Sequence, residues 1–187
     1  MRDKVYVALV HYPVYNKRRE VVCTSVTNFD IHDISRTCRT YDVREYDLII
    51  PAEAQKALTE RIISYWRDGM GGNYNRNREE AFRSVFVCGS VEKLIDRITR
   101  TQGKPPVVVA TSARIFSRSL TFGELSEKIQ NEASPVLLLL GTGWGLADEI
   151  TDRADYILEP VRGKSPYNHL SVRAAAAIIL DRLLGEK

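Results

Sequence analysis

The sequence predicts an α/β protein built on a parallel sheet with helices on both faces. Short apolar runs alternate with amphipathic stretches along the chain, the runs carry Val, Ile and Leu on both side-chain parities, and no internal repeat or low-complexity block interrupts the order. A strand buried on both faces reads as a continuous apolar run, and this is the pattern at 5–10, 46–50, 85–87, 107–110, 135–140 and 156–158. Helical candidates fill the intervals at 31–41, 52–65, 91–101, 120–130 and 170–184. Two segments break the rhythm. Residues 68–78 carry Gly69, Gly71 and Gly72 among Asn and Arg, which predicts a flexible connector able to act as a lid. Residues 162–168 lie between the last strand and the last helix and are expected to line a site.

The length of 187 residues suits one domain over 1–187, and 44% hydrophobic with 27% charged residues excludes a disordered chain. No apolar run approaches the ~18 residues of a membrane span. The start, Met1-Arg2-Asp3-Lys4, leads into an apolar run too short for a signal peptide, so 5–10 is read as a mature first strand. Cys23, Cys38 and Cys88 are odd in number and far apart, which suggests reduced thiols in the cytoplasm. His11, His32 and His169 have no ligand spacing, so no metal site is expected.

The net charge of +3 is too small to demand a polyanion, but Arg outnumbers Lys 19 to 8. A planar guanidinium suits phosphate and base contacts better than an ammonium does. Arginines gather at Arg18 and Arg19, at Arg36, Arg39 and Arg44, and at 67–83, where Arg76 and Arg78 stand among Asn73, Tyr74, Asn75 and Asn77. This mixture points to RNA, with an Arg-rich solubilising surface as the competing reading.

The chemistry concentrates near the C-terminus. Apolar 137–140 runs into Gly141-Thr142-Gly143-Trp144-Gly145, where missing Cβ atoms let a ligand approach the backbone N–H groups. A nucleotide-like ligand fits such a turn. Glu159 stands about where a dinucleotide fold keeps its ribose-binding acid, yet the connection 146–153 is too short for a crossover helix and no second nucleotide half follows. Trp144 is open to two readings, a ligand stack or a packing filler, and the second is favoured by general burial habits.

The glycine turn, the strand 155–160 and the stretch Tyr167-Asn168-His169-Leu170-Ser171 stand in an order and spacing that resemble the cofactor end of SPOUT RNA methyltransferases. Thr111 and Ser112 resemble the strand end that borders the cofactor there. Arg36-Thr37 resembles the family's N-terminal Arg element, with Asp30 where relatives carry Asn and His32 where they carry Gly. The segment Val-Thr-Asn-Phe-Asp-Ile-His-Asp-Ile at 26–34 is similar to one in a small bacterial SPOUT group. The resemblance implies S-adenosylmethionine as cofactor, an RNA substrate (tRNA or rRNA), a trefoil knot with the cofactor region at about 105–187, and a homodimer. It implies cofactor contacts from Thr111, Ser112, Gly141, Thr142, Gly143, Trp144, Gly145, Leu158, Pro160, Tyr167, Asn168, Leu170 and Ser171.

At about 100° per residue, Ile31, Ile34, Cys38 and Tyr41 share one face of the 31–41 helix and His32, Arg36 and Arg39 another. One face packs and the other is cationic. With the resemblance, Arg36 is the residue expected to orient the target nucleotide, Asp30 and His32 are candidate proton acceptors, and Arg18, Arg19, Arg39, Arg76 and Arg78 are expected to touch RNA. Asn168 and Ser171 are read as cofactor contacts, as caps of the last helix, or as both. A non-catalytic RNA-binding protein with a vestigial pocket is the alternative from another class, and a NAD-type enzyme a weaker one.

Overall fold

The computed structural model describes residues 4–186, so Met1, Arg2, Asp3 and Lys187 lie outside the described residues. The elements run β1 (Val5–Val10), β2 (Val14–Tyr15), β3 (Val21–Val22), α1 (Asn28–Thr40), β4 (Glu45–Ile49), α2 (Glu53–Arg67), α3 (Met70–Tyr74), α4 (Arg76–Phe82) and β5 (Val85–Cys88). They continue with α5 (Val91–Gln102), β6 (Val107–Thr111), β7 (Ser119–Leu120), α6 (Phe122–Asn131), β8 (Val136–Gly141), α7 (Asp148–Thr151), β9 (Tyr156–Leu158) and α8 (Val172–Leu184). The main sheet has seven strands in the order β5-β4-β1-β8-β6-β9-β7, with every pair parallel.

β1 shows why the sequence chooses this sheet. All six of its residues are buried, and they alternate between two cores. Val5, Val7 and Leu9 face one with α1, α6 and α8, and Tyr6, Ala8 and Val10 face the other with α5. A strand that supplies apolar side chains to both layers must lie inside a covered sheet. The helices begin where capping chemistry allows: Thr27 accepts from the Asp30 amide, Ser90 from Lys93, Thr121 from Glu124 in a reciprocal capping box, and Ser171 from Ala174.

The segment 68–78 corrects the expectation of a flexible lid, because it folds into α3 and the start of α4. Asn75 ends one helix and caps the next, its side chain accepting from the Arg78 amide. Gly71 and Gly72 are buried, and a Cβ on Gly72 would stand 2.7 Å from the Trp66 carbonyl oxygen. The glycines here permit close packing. The last helix begins at Val172 rather than Leu170, which stands outside it and is exposed. The two-residue strands β2, β3 and β7 escape a periodicity reading by their length. Among the described residues no helix is long and apolar enough to cross a membrane.

Candidate functional site

Parallel strands end together, and open α/β sheets bind ligands outside those carboxyl ends. Val10 of β1 pairs in register with Gly141 of β8, and Thr111 of β6 with Leu158 of β9. The central strand ends therefore gather Thr111, Ser112, the turn from Gly141 to Gly145, Leu158 and Pro160 along one edge of the sheet.

The glycine turn is braced by the β2–β3 hairpin. The Tyr15 amide donates to the Gly145 carbonyl at 2.9 Å, and the Trp144 amide donates to the Tyr15 carbonyl at 2.8 Å. Gly143 has φ +58°, and Gly141 lies so near Leu146 that a Cβ would meet its amide nitrogen at 2.7 Å. Among the described residues the Gly143 N–H has no hydrogen-bond partner, so it remains a donor for a ligand. Trp144 is 64% exposed, which corrects the expectation that it fills a packing gap. Arg19 stacks on Tyr15 and pairs with Asp148 at 3.2 Å, so this arginine helps fasten the hairpin to the turn's far side, while Arg18 is exposed.

The chain after β9 supplies the other wall. The Asn168 side-chain amide donates to the Ala113 carbonyl at 3.0 Å, tying 162–171 to the loop that follows β6. Tyr167 is 71% exposed, and Ser171 caps α8. The Glu159 carboxylate accepts from the Phe122 amide at 2.7 Å and so braces the start of α6. A cavity of about 400 Å³ beside β7 shares only Pro160 with the expected cofactor set.

α1 separates the residues expected to act in catalysis. Asp30 is buried, accepts from the Thr27 hydroxyl at 2.6 Å and meets Arg173 at 3.5 Å. His32 packs against Trp66 and Phe82, at 5.3 and 4.9 Å between ring centroids. Burial, with the Arg78 guanidinium next in effect, holds its imidazole below the usual range. Arg78 in turn lies 4.4 Å over the Trp66 ring. Arg39 is held by Glu80 at 2.6 Å and Asp42 at 3.1 Å. Arg36 is exposed, and among the described residues its guanidinium has no partner, as is also true of Arg76. Of the cationic face read from the sequence, Arg36 alone is left uncommitted.

Sequence reasoning missed three residues here. Arg173 bridges Asp30 and Asp33, the latter at 2.9 Å, and so joins the first turns of α1 and α8. His11 and Thr24 join the end of β1 to Thr142. Only Arg173 could have been found beforehand, by its place two residues after Ser171.

This architecture, with its glycine turn beside three parallel strand ends, has the fold of SpoU methyltransferases of known structure. It aligns with the SpoU methyltransferase AviRb from Streptomyces viridochromogenes in complex with AdoMet at a TM-score of 0.63 and 17% identity, covering 98% of this chain and 60% of that one. Such identity speaks for the fold. The pattern of a SAM-dependent RNA methyltransferase family matches residues 4–185, and the chain belongs to that family. A protein of Aquifex aeolicus that carries no functional name is 37% identical, over 98% of this chain and 89% of its own length. A tRNA (guanine-N(1)-)-methyltransferase of Oleidesulfovibrio alaskensis is 45% identical over 97% of this chain, which spans only 42% of that relative.

Proposed function

We propose that this chain binds S-adenosylmethionine at the joined ends of β6, β8 and β9 and methylates a nucleotide of a tRNA or rRNA in the cytoplasm, acting as a homodimer. The observation that carries the reading is the braced glycine turn, whose free Gly143 N–H and missing Cβ atoms stand at the sheet's carboxyl edge. These residues fit the cofactor: backbone donors suit its polar groups, and exposed Trp144, Tyr167 and Leu170 offer apolar surface for a base. Thr111, Ser112, Thr142, Leu158, Pro160 and Asn168 complete the proposed pocket, with Ser171 at its rim. The trefoil knot is part of the proposal and rests on the likeness to SpoU methyltransferase folds.

When bound, the cofactor supplies an electrophilic methyl group on a sulfonium. The protein's part is to hold the nucleophile in line and to exclude water. Arg36 is proposed to orient the nucleotide by its phosphate or acceptor edge. Asp30, fixed by Thr27 and Arg173, is a candidate proton acceptor, while His32 supports α1 from within its aromatic cluster. Arg18 and Arg76 remain exposed for RNA, and Arg19, Arg39 and Arg78 contribute after meeting their internal partners.

The homodimer is part of the proposal and rests on the resemblance to the family, in which the N-terminal Arg of one chain faces the cofactor of the other. The test is transfer of labelled methyl from S-adenosylmethionine to RNA. Arg36→Ala is expected to keep cofactor binding by calorimetry and lose transfer, and full transfer would overturn its role. Absence of cofactor binding by the wild-type protein would overturn the pocket.

A further inference from the structure

The end of β1 carries a buried polar relay. His11 is fully buried, its Nδ1 stands 3.0 Å from the Thr24 hydroxyl, and that hydroxyl stands 2.6 Å from the Thr142 hydroxyl. The Thr142 hydroxyl donates to the Val10 carbonyl at 2.9 Å. The Thr24 hydroxyl also lies 3.4 Å from the His11 carbonyl; with the shorter contacts made, Thr142 donates to Val10, Thr24 donates to Thr142, and Thr24 accepts from His11. His11 is therefore the tautomer with its proton on Nδ1. Burial pushes its pKa down to about 4, against a smaller opposing pull from Asp30, so the ring is neutral near pH 7. Its Nε2 is left as a buried acceptor without a partner among the described residues. An unpaired buried acceptor is costly, and the fold keeps an imidazole here in spite of it.

We propose that His11 is a positioning residue for methyl transfer, acting through Thr24 to hold Thr142 and the glycine turn in the geometry that receives the cofactor. The hairpin braces the turn through Tyr15 on one side, and the relay holds Thr142 on the other. Gly143 Cα is thereby pinned between the two, since a Cβ there would meet both the Tyr15 carbonyl and the Thr24 methyl. The role needs the Nδ1 donor alone. It rests on the cofactor reading given above.

The test compares His11→Asn, whose side-chain amide places a donor where Nδ1 stood, with His11→Gln and His11→Leu, which do not, and with Thr24→Val. His11→Leu, His11→Gln and Thr24→Val are each expected to weaken S-adenosylmethionine binding at least tenfold by calorimetry. His11→Asn stays within about threefold of wild type, and His11→Leu combined with Thr24→Val is no worse than either alone. Hydrogen exchange at 142–146 supplies a second readout that requires no ligand: faster exchange in His11→Leu, restored in His11→Asn. Loss in His11→Asn equal to that in His11→Leu, or unchanged exchange and affinity in a folded His11→Leu, would overturn the relay. If the wild-type protein bound no cofactor the pocket reading would fall, and the exchange data alone would decide the relay. If His11→Leu failed to fold, Thr24→Val and His11→Gln would carry the comparison.

Discussion

The carbonyl oxygen of Tyr15 accepts from the Trp144 amide at 2.8 Å and lies 2.8 Å from the place where a Cβ on Gly143 would stand. One atom thus holds the glycine turn and forbids a side chain in it. Gly143 also has φ +58°, a conformation that L residues adopt at a cost. Gly143→Ala is expected to lower stability by about 2 kcal/mol, combining left-handed strain with displacement of the hairpin. It should also weaken S-adenosylmethionine binding. Gly163, with open space around it and no positive φ, is the control: Gly163→Ala should leave urea unfolding unchanged.

Arg173 ties the two helices that open on the site. Its guanidinium meets Asp30 at 3.5 Å and Asp33 at 2.9 Å, and the Asp30 side chain is only 11% exposed. Removing the arginine leaves a nearly buried carboxylate with the Thr27 hydroxyl as its remaining side-chain partner. Arg173→Met is expected to cost about 2 kcal/mol, and Arg173→Met with Asp30→Asn less than the sum of the two. Additive losses in a double-mutant cycle of chemical unfolding would refute the coupling.

Two buried groups titrate against each other. The His11 pKa falls from 6.5 to about 4 by burial, so the unfolded chain takes up a proton that the fold refuses and stability is lost as pH drops from 6.5 towards 4. Asp47 rises from 3.8 to about 6, first by burial and in spite of Arg97, which its carboxylate meets at 2.7 Å. Between pH 6 and 3.8 the fold holds a proton that the unfolded chain has released, so this group adds stability as pH falls. Each effect has a ceiling of roughly 3 kcal/mol, so in wild type they largely cancel. Asp47→Asn should therefore lose stability more steeply than wild type from pH 6.5 to 4, and His11→Asn should gain it. Urea midpoints across that range check both signs.

The order of the main strands and helices was legible because it depends on burial on both faces, which the apolar runs of β1 and β8 record directly. The glycine turn was legible for a related reason, since an alternating Gly pattern after such a run has few structural uses. What braces the turn was hidden: Tyr15 acts through its backbone, and Thr24, backed by His11, meets Thr142 across 118 residues of sequence. Periodicity put His32, Arg36 and Arg39 on one face correctly, but could not show that Trp66, Phe82 and Glu80 would occupy two of them. The misreading of 68–78 had a local cause. Its glycines were read as freedom, whereas in the fold they answer the crowding around Trp66.

That crowding yields a last prediction. A Cβ on Gly72 would stand 2.7 Å from the Trp66 carbonyl oxygen and 3.1 Å from Glu79 Cγ. The carbonyl belongs to the last turn of α2, so relief requires α3 to move away from it. Trp66 also carries the stacked Arg78 and the edge of His32, and any shift of α3 is transmitted to α1. Gly72→Ala is expected to cost about 2 kcal/mol in spite of alanine's better helix propensity, which by itself would favour the substitution by up to ~1 kcal/mol. Asn77→Ala, at an exposed position of α4, should change stability by no more than about 0.5 kcal/mol. Thermal unfolding of the two variants distinguishes a packed segment from a mobile one, because a mobile lid would gain stability from Gly72→Ala.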